Sequence, residues 1–208
     1  MTTSARRLQP QKREAILRAG RTVFGRDGYT RASIDAIATE AGVSTRTIYN
    51  HFANKEQLFA TVLESSATQV ADGFVESLER ALAGVTDRRE YLVRLGWALT
   101  RQAVDFPEHF AMVRQINPEA RHFTPDVLDT WRRAGPLRVQ REVARHLDLL
   151  AADGKLRGDA ELAATHFMAL TTAGLNLRDL FELPGFDDCD VARIVETGVD
   201  AFLHGYAG

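Results

Sequence analysis

Cysteine is almost absent: Cys189 is the only one in 208 residues. One thiol cannot close an intramolecular disulfide, and a zinc site built on several cysteines is excluded. Long apolar runs are missing too. No stretch of roughly 18 apolar residues occurs, so no membrane-spanning helix is expected. The chain begins MTTSARRLQPQKREAILRAG, which is basic but lacks the apolar segment of a secretory leader. The expected location is therefore the cytoplasm. Six prolines are scattered singly, with no Pro-rich or Gly/Ser-rich linker and no internal repeat. Catalytic signatures are missing as well. None of the six histidines stands in an HExxH spacing, and no G-x-S-x-G, P-loop or GxGxxG occurs. Asp187-Asp188-Cys189-Asp190 is acidic, but reads as a loop and helix cap rather than a catalytic or metal site. No enzyme, cofactor or metal is expected.

What is present is charge asymmetry and helical periodicity. Residues 1–60 hold ten Lys/Arg against five acids, a local +5 that leaves −7 for the rest of a chain whose total is −2. A basic head on an acidic body suits a polyanion at one end, although a solvated helix surface gives the same count. Strand alternation is nearly absent, so the fold class expected is all-α, with about nine helices. Ile16, Leu17, Gly20, Val23 and Phe24 form one apolar stripe from about Pro10 to Arg26, stopped by Asp27-Gly28. Ser33 can cap a short second helix, Gly42 makes a turn, Ser44 caps a third helix from Thr45 to Phe52, and Asn54 caps a fourth beginning at Lys55. The fourth is expected to reach about Gly73. Further helices are expected over 88–105, 107–116, 125–153 with a bend near Gly135-Pro136, 160–182 and 188–206.

The third helix is too short to be stable alone. Ile48 and Phe52 lie on one side of it and can pack on Ile37, Ala38 and Val43. Arg46 and Asn50 lie on the other. A helix, a glycine turn and a second helix with a bare outer face make a helix-turn-helix reader, with only the first turns needed in a groove.

The stretch Phe24…Gly28-Tyr29-Thr30…Ser33-Ile34…Ile37-Ala38…Ala41-Gly42-Val43-Ser44…Thr47-Ile48-Tyr49…His51-Phe52…Lys55-Glu56…Leu58 resembles the DNA-binding domain of the TetR family of transcriptional regulators. The resemblance implies an N-terminal DNA-binding domain over 1–54, with a flexible basic arm at 1–9, and a helical effector-binding and dimerisation domain over 55–208. It places Thr45, Arg46, Thr47 and Asn50 at base-reading positions, and Thr30, Ser33, Tyr49, His51 and Lys55 at phosphate positions. Arg46 could pair with guanine and Asn50 with adenine. Many relatives carry glycine where Arg46 stands, which bears on the operator sequence and not on the fold. Blander roles stay open: Tyr49 as a core aromatic with its hydroxyl at the rim, His51 as a surface residue, Asn50 on phosphate or water. Arg6, Arg7, Lys12 and Arg13 form either a minor-groove arm or a solvated tail.

GKLRGDAELAATHFMALT resembles the AefR-like subgroup less specifically. The last two helices carry wide apolar faces, and a four-helix bundle with a second copy would bury them. Phe167, Leu170, Gly174, Leu177, Val195, Val199 and Phe202 are the expected dimer residues; closing the protomer's own core is the alternative. Family members enclose a small molecule, so Trp97, Phe106, Phe110, Met112, Trp131, His166 and Met168 are candidate pocket residues. Plain core is the competing role, with His166 a satisfied core histidine. The expected function is a repressor that binds a palindromic double-stranded DNA operator as a homodimer and is released by a small hydrophobic effector. A TetR-like activator and a helical protein-interaction adaptor are the alternatives.

Overall fold

The computed structural model describes residues 3–119, 123–154, 156–172 and 187–206, the side chains of 3–9 and 117–119 excepted. These residues form helices and their connections, with no β-strand among them. In chain order the helices are α1 (Thr3–Arg31), α2 (Ile34–Ala41), α3 (Thr45–Tyr49), α4 (Lys55–Leu82), α5 (Arg88–Asp105), α6 (Pro107–Glu119), α7 (Pro125–Ala134), α8 (Pro136–Ala152), α9 (Ala160–Thr171) and α10 (Asp188–Tyr206). No helix among the described residues is long and apolar enough to cross a membrane.

The chain divides into two compact units. One comprises residues 1–69 and 106–135, the other 70–105 and 136–208. The first unit is centred on Ile16, Val23 and Phe24 of α1, Ile37 of α2, Ile48 of α3, Leu58, Phe59, Val62 and Leu63 of α4, and Met112 and Ile116 of α6. Phe24 and Phe59 meet edge to face at 5.0 Å. Gly20 lets α1 lie against α4: a Cβ there would stand 2.7 Å from a Val62 methyl. At Gly28 (φ 75°, ψ 171°) the backbone of α1 leaves helical geometry, a conformation that favours glycine. α1 begins at Thr3, where the sequence led us to expect a flexible arm.

The second unit packs Phe74, Leu78 and Leu82 of α4 with Leu92 and Leu95 of α5, Val143 and Leu147 of α8, Phe167 of α9, and Val195, Val199 and Phe202 of α10. Asp159 and Asp187 cap α9 and α10 by accepting the amide N–H groups of Leu162 and Asp190, each at 2.8 Å. Asp187 thereby takes the capping role expected of its cluster, and no group of three or more metal-ligating side chains occurs among the described residues.

Four of the expected dimer residues are corrected here. Phe167, Val195, Val199 and Phe202 are sealed inside their own unit, so they are protomer core and cannot face a second copy. Leu170 is exposed, as is Leu162 two turns earlier on the same helix. Gly174 and Leu177 lie outside the described residues. His166 is also corrected: one position from buried Phe167, it falls on the exposed side of α9, with Nδ1 2.6 Å from the Tyr206 hydroxyl.

Candidate nucleic-acid interface

Two serine caps and a glycine turn build the reader. Ser33 Oγ accepts the Ala36 amide N–H at 3.1 Å and starts α2. Gly42 (φ 64°) ends α2 in the left-handed region, and the Val43 N–H donates back to the Ala38 carbonyl at 3.0 Å. Ser44 Oγ accepts the Thr47 N–H at 3.2 Å and starts α3. The Ser33 cap satisfies an amide that the first helical turn leaves without a backbone acceptor, the Thr47 N–H is shared between Ser44 Oγ and the Ser44 carbonyl at 2.9 Å, and the Gly42 turn occupies a carbonyl in the last turn of α2. A Ser44→Ala variant should lose about 1 kcal/mol of stability and bind DNA more weakly as α3 frays. Urea unfolding and a binding titration measure the two effects; unchanged values in both would show that α3 needs no cap.

α3 is shorter than the sequence suggested. It ends at Tyr49, and Asn50 is its C-cap. The N–H groups of His51 and Phe52 both converge on the Ile48 carbonyl at 2.9 Å, turning the chain so that Phe52 enters the core. Ile48 is 0% exposed and Phe52 3%, while Tyr49 is 54% exposed. Arg46 and Asn50 are exposed, and Thr45 and Thr47 half-buried. The Thr47 hydroxyl lies 2.9 Å from Ser44 Oγ, so it is partly engaged by the cap. Thr30 and Ser33 are exposed, and His51 and Lys55 half-buried. The reader thus anchors one face of a single turn and leaves the other to solvent.

Lys55 is held more firmly than its sequence position indicates. Its Nζ lies 4.6 Å from the centre of the Tyr29 ring and donates to the Thr30 carbonyl at 3.3 Å. The start of α4 carries a reciprocal cap: Asn54 Oδ1 accepts the Gln57 N–H at 2.8 Å, and Gln57 Oε1 accepts the Ala53 N–H at 2.6 Å. Sequence reasoning found Asn54 but missed Gln57 and Tyr29. The Asn-x-x-Gln spacing would have disclosed the first. Nothing local discloses the second, because the Tyr29–Lys55 contact is tertiary. Arg13, assigned with the basic arm, instead stands over the Phe52 ring at 5.5 Å.

The candidate pocket residues are split between the units. Met112 is buried in the core of the reader's unit, and Trp131 packs against it. Phe106 and Phe110 are half-buried in that unit as well. Trp97 and Met168 pack on the core of the other unit. α6 also brings His109, whose Nδ1 lies 3.0 Å from the Ser66 hydroxyl on α4. Burial pushes the His109 imidazole down to about 4, so it is neutral at pH 7.

Comparisons with known proteins bear on this geometry. Residues 16–62 match the model of bacterial regulatory proteins of the tetR family, and residues 90–208 match that of the C-terminal domain of AefR-like transcriptional repressors. A TetR-family transcriptional regulator from Mesorhizobium loti is similar over 100% of both chains, with 30% identity and a TM-score of 0.86. The flavonoid-responsive regulator FrrA is similar over 95% of this chain and 98% of its own, with 28% identity and a TM-score of 0.71. The HTH-type transcriptional activator FasR of Mycolicibacterium smegmatis is 35% identical over 99 residues, 48% of this chain and 42% of FasR. The match therefore spans less than half the length of that curated relative.

Proposed function

We propose that this chain, which belongs to the TetR family of bacterial regulatory proteins, is a repressor that grips a palindromic operator as a homodimer and lets go when a small hydrophobic effector binds. The chain is a helix-turn-helix transcriptional regulator; operator symmetry, direction of regulation and effector are the proposed parts. The observation that carries the DNA contact is α3 itself, capped at Ser44, with Ile48 buried and Arg46, Tyr49 and Asn50 outward. Arg46 and Asn50 read base edges, with Thr45 and Thr47 beside them. Thr30, Ser33, Tyr49, His51 and Lys55 hold phosphate. The functional division is drawn at the Asn54 cap: 1–54 reads DNA, and 55–208 pairs the protomers and takes the effector.

Substitution separates the two kinds of contact. Lys55→Ala should weaken binding to all duplexes and flatten the salt dependence by about one phosphate. Arg46→Ala should relax preference at one base pair, by about tenfold, with little change elsewhere. Competition binding over a randomised duplex pool reads both; identical profiles for the two variants would contradict the assignment.

Dimerisation is supported by the exposed side of α9, where Leu162 and Leu170 stay 54% and 36% uncovered in the single chain. The buried sides of α9 and α10 are already used within the protomer, so among the described residues of α9 this narrower face stays open to a partner. Repression is favoured by the similarity of residues 90–208 to the C-terminal domain of AefR-like repressors, whereas FasR is an activator. Transcription in vitro from a promoter overlapping the selected operator decides: repression lowers the transcript, activation raises it. An effector is supported by α6 packing on α1 inside the reader's own unit, which gives a body helix direct purchase on the DNA-binding helices.

A further inference from the structure

The geometry points to a ligand site under α7, in the same compact unit as the reader, built to take a neutral aromatic molecule through one hydrogen-bond acceptor on the indole N–H of Trp131. The inference rests on the effector reading above and gives that effector a chemistry and a seat. Two observations carry it. The Trp131 Nε1–H is withdrawn from solvent and meets no acceptor among the described residues; it is the only such buried side-chain nitrogen or oxygen among them. α7 is also one-sided yet only partly covered. Val127, Leu128 and Trp131 turn toward the core, but no residue of the helix is fully buried. By contrast α6, in the same unit, buries His109, Met112 and Ile116.

The chemistry of the orphaned atom is single-signed. An indole nitrogen only donates, so its complement is a lone pair, as on a carbonyl. The apolar cluster against which Trp131 packs is rich in rings, and the buried polar groups of the same unit, His109 and Ser66, are already hydrogen-bonded to each other. The cluster offers no compensation for a charged ligand, whose desolvation would outweigh one hydrogen bond. An aryl ketone satisfies both demands.

The same cluster supplies a path to the DNA-reading end. Phe123 sits immediately before Thr124, the N-cap of α7. Its ring stacks face to face on Phe59 of α4 at 4.7 Å and meets Tyr29 edge-on at 5.1 Å. Tyr29 in turn holds Lys55 against its face. A molecule wedged under α7 shifts the seat of Phe123, and with it the two rings that set the position of Lys55. The ligand acts only through its different affinities for the two arrangements.

The test uses the full chain labelled with 15N-tryptophan and two probes of equal shape, benzophenone and 1,1-diphenylethylene, which differ in C=O against C=CH2. Benzophenone should move the Trp131 indole signal downfield and bind about tenfold more tightly than the hydrocarbon, the worth of one hydrogen bond. Trp131→Phe assigns the signal and should abolish the preference. The probe comparison on the unmodified chain stands even if that variant folds poorly. An unmoved Trp131 signal, equal affinity for the two probes, or no benzophenone binding up to its solubility overturns the site. Release of operator DNA by some other ligand that leaves Trp131 unmoved overturns the site while the effector reading stands. Benzophenone bound at Trp131 with operator affinity unchanged upholds the site and contradicts the path through Phe123. For that path, Phe123→Leu should keep benzophenone binding and lose most of its effect on DNA.

Discussion

Replacing Gly198 with alanine should destabilise the protein by about 3 kcal/mol and lower its melting temperature by roughly 6–12 °C. A Cβ at Gly198 would stand 2.5 Å from the Leu170 carbonyl oxygen, 2.8 Å from its carbonyl carbon and 3.1 Å from the Thr171 Cα. All three are backbone atoms of α9, so no rotamer change relieves the clash. The helices must separate, and Val195, Val199 and Phe202 of α10 lose contact with Phe167. Gly205 of the same helix is the internal control. A Cβ there meets nothing within 4 Å. Alanine at Gly205 should leave stability unchanged or raise it by up to about 1 kcal/mol, since glycine is the poorer helix former. Thermal unfolding of the two variants side by side measures the contrast, and equal melting temperatures would contradict close helix contact at Gly198.

Acid should expose the second large effect, at His109. The folded protein holds this imidazole down at about 4 because it is buried, against an ordinary value of 6.5. The sign follows from proton binding. Above pH 6.5 neither the folded nor the unfolded chain protonates the ring, and the full stability is present. Between 6.5 and about 4 the unfolded chain takes up a proton that the folded chain refuses, so stability falls as pH falls. Below about 4 both bind it and the loss levels off. The contribution lost across this window is about 3 kcal/mol. His109→Gln keeps a polar group facing Ser66 but does not titrate. Its stability should therefore fall less between pH 7 and pH 4 than that of the unsubstituted protein, by about that amount. Parallel urea midpoints for the two proteins across the range would show that His109 is not held neutral.

Local signals made most of the reader legible. Ser33, Ser44 and Asn54 announce their caps by residue type and spacing, and Gly42 announces a turn that requires positive φ. The length of α3 was less legible. Helical spacing extends to Phe52, but the core draws that ring inward by a turn that periodicity does not register. α4 failed in the opposite direction. Gly73 looked like a terminus, yet Phe74, Leu78 and Leu82 continue the stripe, and their burial outweighs the roughly 1 kcal/mol cost of one glycine.

α9 and α10 show a deeper limit. An apolar face states that something must cover it, not whether the cover is the same chain or another. Phe167, Val195, Val199 and Phe202 turned out to be covered from within. Likewise the candidate pocket residues gave helical spacing and aromatic character, but not their division between two units. Tyr29 under Lys55 and the stack of Phe123 on Phe59 join positions far apart in the chain, and no short window contains such a pair.

Selection of bound sites from random duplexes with the full chain, paired with measurement of how many chains occupy each selected duplex, tests the central claim most directly. Two copies of α3 on one face of DNA should enrich an imperfect palindrome with half-site centres 34–36 Å apart or a whole-turn multiple of that spacing, two chains per site as the minimum, and loss of preference at one symmetric base pair in Arg46→Ala. No enriched sequence, or an asymmetric site filled by a single chain, would contradict it.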